Sequence, residues 1–219
     1  MEVYVSINGV LRNLIQKFDF HYHDHFLDTD VIIDIDEAQQ ETPPFEYKIN
    51  YPIQNDNLLN HYLFESKEEY EYFLYIEFPL EIFGYAGVSY PTAISDLNKL
   101  IYSHYETNES FSSSGSAGSY GFSETKNINF TVIGLDELGK SKSSTLFFLS
   151  KNGFLGNNIK FILSKDIDNE WKKCDMWITD NKDIIDRCPT DKKVIKFNTE
   201  YNHYFTHNIE INNLSKIDL

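Results

Sequence analysis

The densest coordinating chemistry in the chain is one short run, His21-Tyr22-His23-Asp24-His25. Read as a strand, it puts His21, His23 and His25 on one face, and imidazoles beside a carboxylate suit Zn²⁺ or Ni²⁺. Read as polar surface, it is a solvated or pH-sensitive cluster. The other histidines, His61, His104, His203 and His207, are scattered, and no Cys or His pair at metal spacing accompanies the run. Carboxylates supply the second candidate chemistry. Val31-Ile32-Ile33-Asp34-Ile35-Asp36 is an apolar strand pattern ending in paired acids, which a nucleophile or a hard cation would use. Glu37-Ala38-Gln39 follows it, where a glycine turn and an apolar helix would be needed. Asp136-Glu137 and Thr179-Asp180 place further acid directly after strand-like runs, the first reading most simply as a polar loop.

These groups need elements to position them. Val3-Tyr4-Val5-Ser6-Ile7-Asn8 alternates as a strand does, Gly9 breaks it, and Val10, Leu14 and Phe18 then recur at helical spacing. Ser66-Lys67-Glu68-Glu69 has the form of a capping box and predicts a helix through about Phe78. A second helix fits residues 91–104. Strands are predicted at 128–133, 159–163, 175–179 and 193–197, with helical segments at 142–152, 168–173 and 181–187 between them. Alternating strands and helices predict an α/β, Rossmann-like parallel sheet with helices on both faces. Ligands of such sheets sit at the carboxyl ends of the strands, which directs attention to residues 6–12, 134–137, 164–166 and 179–181.

Composition sets limits. The 219 residues carry a net charge of −15, and residues 1–110 hold 5 basic and 20 acidic side chains against 14 of each in residues 111–219. An acidic field repels phosphate backbones, so general nucleic-acid binding is not expected; a basic protein partner or self-association is compatible with it. Aromatics make up 16% of the chain, enough apolar material for a core. No run of 18 apolar residues predicts a membrane span, and the opening residues lack the basic stretch of a secretory leader. Cys174 and Cys188, without partners at metal spacing, read as reduced thiols of a cytoplasmic protein. The Tyr70-Glu71-Tyr72-Phe73-Leu74-Tyr75-Ile76 run reads as helix core and rim rather than as a base-stacking platform.

Two segments carry a family likeness: Val3-Tyr4-Val5-Ser6-Ile7-Asn8-Gly9-Val10-Leu11-Arg12, and Cys174-Asp175-Met176-Trp177-Ile178-Thr179-Asp180-Asn181. With the strand–helix alternation, they resemble the haloacid dehalogenase (HAD) superfamily of phosphohydrolases, in particular nucleotidase-like members with a small cap. The resemblance implies a core of residues 1–18 and 86–205, an acidic cap or insertion at 19–85, a flexible Ser/Gly loop at 108–126 and a tail at 206–219. The chain also resembles proteins of tailed marine phages, which would place it in the host cytoplasm or the virion.

The resemblance implies a first motif, Asp-x-Asp-Gly, whose first Asp attacks phosphorus and whose second is general acid/base. Both help to hold Mg²⁺. Ser6 and Asn8 occupy those positions here, while Gly9-Val10-Leu11 keep the turn. Gly134 falls where a phosphate-binding hydroxyl is expected. Lys165, or alternatively Lys172, falls where a lysine neutralises the phosphoryl group. Thr179-Asp180 stands for an acidic pair, leaving Asp180 as the retained metal carboxylate. These replacements imply a catalytically degenerate binding or structural module, a pseudoenzyme. The alternatives are a Mg²⁺-dependent 5'(3')-nucleotidase using Asp34 and Asp36, and a non-hydrolytic phosphate or nucleotide binder using Ser6, Asn8, Arg12 and Lys165.

Overall fold

The computed structural model describes residues 1–26, 62, 64–109 and 128–217. Asp34, Asp36 and the Ser/Gly-rich run lie outside the described residues. Strand β1 (Glu2–Ser6) is the centre of a six-stranded sheet. β4 (Asn129–Leu135) and β5 (Ile159–Ile162) lie to one side of it, and β6 (Met176–Thr179), β7 (Lys193–Phe197) and β8 (Glu210–Ile211) to the other. Every neighbouring pair is parallel, with Ser6 opposite Ile133 and Val5 opposite Ile178. Counted along the chain, the sheet order is 3-2-1-4-5-6. This is a doubly wound sheet whose winding reverses between β1 and β6, where such sheets bind ligands.

β1 is buried on both faces because its two residue sets are both apolar. Val3, Val5 and Ile7 enter one cluster with Ile94, Leu97 and Phe148, while Tyr4 enters another with Trp171, Trp177 and Ile184. Burying each such aliphatic side chain stabilises the fold by roughly 1.5–3 kcal/mol. The first layer comes from α3 (Ala93–Glu109) and α4 (Lys142–Lys151), the second from α5 (Ile167–Trp171) and α6 (Lys182–Asp186).

Three local expectations change. The helix anticipated from Val10 begins only at Leu14. Gly9 adopts φ 75°, Ile7 O accepts from Leu11 N and Arg12 N, and Arg12–Asn13 (β2) pairs antiparallel with Gly87–Val88 (β3). Helix α1 (Leu14–Phe26) then runs through the expected boundary at 18/19 and carries the histidine run, which is therefore not a strand. The C-terminal stretch expected as a tail adds β8, and Leu214, fully buried, donates its N–H to Tyr90 Oη at 2.9 Å.

The capping box is present in modified form. Ser66 Oγ accepts from Glu69 N at 3.1 Å, and Glu69 Oε2 accepts from Glu65 N at 2.6 Å. It opens α2 (Lys67–Tyr72), which continues into π-helical turns at Phe73–Glu77 and Leu80–Gly84. These turns and α1 build a separate aromatic cluster around Phe18, Tyr22, Phe73 and Phe83.

Candidate functional site

The loops after β1, β4 and β6 meet at the carboxyl edge of the sheet. Ser6, the last residue of β1, is 7% exposed. Its hydroxyl donates to Thr179 Oγ1 at 2.8 Å and accepts from Trp177 Nε1 at 3.1 Å. Thr179 Oγ1 also accepts from Asn181 N at 3.2 Å. Both hydroxyls tie β1 to β6 across the switch in winding, and no general base touches Ser6 among the described residues.

Asn8 is held by Arg12. Its Oδ1 accepts from Arg12 Nε at 3.0 Å and Nη2 at 2.5 Å. Arg12 is 2% exposed; its Nη1 donates to Phe83 O at 2.7 Å and Thr145 Oγ1 at 3.1 Å, and the guanidinium lies over the Phe83 and Phe148 rings. Among the described residues no carboxylate pairs with it. Burial lowers its pKa to about 9, with Tyr75 and Asp136 opposing, so it stays charged at neutral pH. Neutral oxygens and aromatic faces compensate the buried cation, and the planar guanidinium can satisfy all of them at once.

Gly9 packs against Asp180. A Cβ at Gly9 would fall 1.9 Å from Asp180 Cγ, so the carboxylate rests on the glycine backbone, and Asp180 Oδ2 accepts from Tyr201 Oη at 2.6 Å. Gly134 gives room to another side chain: a Cβ there would lie 3.0 Å from the Phe161 ring. A ring, not a phosphate, occupies the space that a hydroxyl would face. Lys165 is exposed on the 3₁₀ turn Ser164–Asp166 after β5, two strands from β1, and has no polar contact among the described residues. Among the described residues Lys172 reaches only Asn169 Oδ1, at 3.1 Å. The structure therefore brings Ser6, Asn8, Arg12 and Asp180 together beside the switch in winding, whereas Lys165 stands at the same carboxyl edge two strands away, after β5.

Asp136 is a cap. Its oxygens accept from Lys140 N at 3.1 Å and Ser141 N at 3.0 Å at the start of α4. Glu137 Oε1 accepts from Ser164 N at 2.9 Å. Neither acid is directed at Ser6 by these bonds.

On helix α1 the three histidines no longer share one face: His21 and His25, four apart, both lie against the Phe78 ring, and His23 turns away from them. His23 lies 3.4 Å from Asp19, His25 4.0 Å from Glu77, and His21 stacks on Phe78. Burial, then Lys17, hold the His21 pKa below its ordinary value. Residues two apart on a helix point about 200° apart, so the single coordinating face of the strand reading is lost. Among the described residues no group of three or more His, Cys, Asp or Glu could hold a metal ion. The motif positions do not fit Mg²⁺ either. A hard divalent ion needs charged oxygen ligands, whereas Asn8 is neutral with its oxygen on a guanidinium, and Asp180 is the one acid left.

Tyr201, Thr145 and Phe83 complete this edge from distant parts of the chain, and no local pattern marks them in the sequence. In the comparisons with known proteins, no family model and no curated protein matches the chain.

Proposed function

We propose that this chain is a catalytically degenerate, HAD-like protein that serves as a binding or structural module, in a phage particle or infected cell, rather than as a phosphohydrolase. One observation carries the reading: the side chain standing at the general acid position, Asn8, is locked by the buried Arg12. A protein guanidinium sits on the oxygen that a metal would need, and Coulomb repulsion at that distance excludes a second cation. With Ser6 at the nucleophile position there is no acyl-phosphate route, and loss of the acid at position 8 costs a further ~10²–10⁴-fold. The hydroxyl of Ser6 is instead used in holding β1 to β6.

The phosphate-binder alternative would need Arg12 and Lys165 to converge. Arg12 is buried and bonded through all three of its nitrogens, and Lys165 is exposed on the turn after β5, two strands from β1, so the degenerate-module reading is better supported. A protein partner or self-association is the partner class favoured here. Exposed Leu80, Tyr85 and Phe147 adjoin one another at Gly84, with the Tyr85 and Phe147 rings 5.2 Å apart.

The test is hydrolysis of p-nitrophenyl phosphate and nucleoside monophosphates with Mg²⁺, beside calorimetry with Mg²⁺ alone. The expected result is no turnover above buffer and no binding heat. Turnover lost on Asp34→Ala or Asp36→Ala would overturn the proposal in favour of those carboxylates.

A further inference from the structure

A cavity of about 120 Å³ opens beside these internally bonded residues, at the carboxyl ends of β1 and β7. That is far above the ~10–15 Å³ that one water needs. Gly9 and Tyr201 form the side nearest Asp180, and Tyr90, Asn198, Glu200 and Asn212 line the rest. Thr199 lines it too.

The chemistry of the lining is distinctive. Among the described residues the lining includes no Lys, Arg or His; the ammonium of Lys216 stands behind it, already bonded to Asn212 Oδ1, and Glu200 would repel an anion. Several polar groups remain open among the described residues. Asn198 uses its amide N–H on Glu210 Oε2 at 3.1 Å, leaving Oδ1 as an acceptor. Asn212 Oδ1 accepts from Lys216 Nζ at 2.6 Å, leaving its NH₂ as a donor. Glu200 is exposed and makes no polar contact among the described residues. The Thr199 hydroxyl is buried without a partner, and Thr199 lines the cavity. Tyr90 Oη already accepts from Leu214 N, and its ring is stacked on Phe197 at 5.8 Å, a firm apolar wall.

A carboxylate and amides around an aromatic ring match a molecule that presents vicinal hydroxyls and an apolar C–H face. Each hydroxyl both donates and accepts, so it suits an acceptor carboxylate, an open carbonyl and an open NH₂ together. We propose that this pocket binds a small neutral polyol of about pentose size, with Glu200 and Asn198 accepting, Asn212 donating and Tyr90 against the carbon skeleton. This rests on the binding-module reading and gives it a ligand class.

The experiment is a titration of the full chain with D-ribose to tens of millimolar, followed by ¹H–¹⁵N NMR, with inorganic phosphate as a parallel arm. The expected result is saturable shifts centred on Asn198, Thr199 and Asn212 with ribose and none there with phosphate. Glu200→Gln should weaken ribose by about tenfold, the size of a hydrogen bond to a charged group. Glu200 is exposed, so that variant folds, and Thr199→Val gives a second, independent weakening. No ribose shift at these residues, shifts centred elsewhere, phosphate shifts at this pocket, or unchanged affinity in both variants would each overturn the inference. Phosphatase activity would defeat the degenerate-module reading while leaving this result intact, so the two failures are distinguishable.

Discussion

The carboxylate of Asp180 lies directly on the α-carbon of Gly9, with no room for a methyl group between them. Gly9 also holds φ 75°, the left-handed region that an L side chain enters at a cost. Both effects act at the turn that leads from β1 to Arg12. Gly9→Ala should therefore destabilise the fold by roughly 2–5 kcal/mol, from backbone strain and overpacking together. The measurement is urea unfolding of the single variant and of Gly9→Ala with Asp180→Gly. The double variant should recover part of the loss, because it removes the clash and leaves the strain. Strict additivity would show that the two residues are not in contact.

The acid limb of stability should depend on Glu170. Burial pushes its carboxyl up, but hydrogen bonds from Lys160 and Lys173 outweigh burial and hold it below its ordinary value. Tyr4 Oη donates to the same carboxylate at 3.2 Å. A lowered folded-state pKa gives stability that is present above the unfolded value of 4.5 and is lost as pH falls through the lower folded value. Melting temperature should fall more steeply below pH 4.5 in the native chain than in Glu170→Gln. Parallel acid profiles would remove Glu170 from the account.

The two thiols should differ in reactivity. Both cysteines are free; Cys174 is fully buried and burial pushes its pKa up to about 12, while Cys188 is partly exposed and donates to Pro189 O at 3.5 Å. Thiolate is the reactive form, so both react slowly, and access then separates them. With Ellman's reagent at pH 8, Cys188 should be modified in the native protein and Cys174 only after denaturant is added. Cys188→Ser should then show no native reaction. Equal native rates for the two thiols would mean that the packing around Trp171 and Trp177 opens readily.

The sheet was legible because a buried parallel strand has a local signature. Val3, Val5 and Ile7 alternate with Tyr4 and Ser6, and β4, β5, β6 and β7 carry similar apolar runs. The beginning of α1 was not legible, since Val10 and Leu11 continue the helical spacing while Gly9 and the hairpin with Gly87–Val88 take the backbone elsewhere. The histidine run misled for a related reason: a five-residue pattern at spacing two says nothing of period when α1 passes through it. β8 was missed because two residues, Glu210 and Ile211, offer no alternation to read. At the site, Ser6, Asn8 and Asp180 were placed by their position after strands. Arg12 was singled out too, but as a phosphate ligand rather than as the partner of Asn8, and the pairings of Ser6 with Trp177 and of Asp180 with Tyr201 were not legible, because contacts between distant segments leave no spacing in the sequence.

The last prediction follows from the Arg12–Asn8 pair. Introducing the carboxylates that the proposed HAD likeness calls for, Ser6→Asp with Asn8→Asp, would on the motif alone be expected to create a cation site with Asp180. The geometry argues otherwise, since a carboxylate at position 8 lands on a guanidinium already bonded through Nε and Nη2. It would form a two-pronged ion pair with Arg12, and the charge added there would be spent inside the protein. Asn8→Asp alone should therefore stabilise the fold above the ordinary Asp pKa of ~3.9 and lose that gain as pH falls through its depressed folded value. Calorimetry should find no Mg²⁺ binding to the double variant. A triple variant that adds Arg12→Met frees the carboxylate but leaves Phe83 O and Thr145 Oγ1 without their donor, at about 1–3 kcal/mol each. It should bind Mg²⁺ measurably while melting lower. Tight Mg²⁺ binding by the double variant with Arg12 in place would show that the guanidinium is not what closes this site to metal.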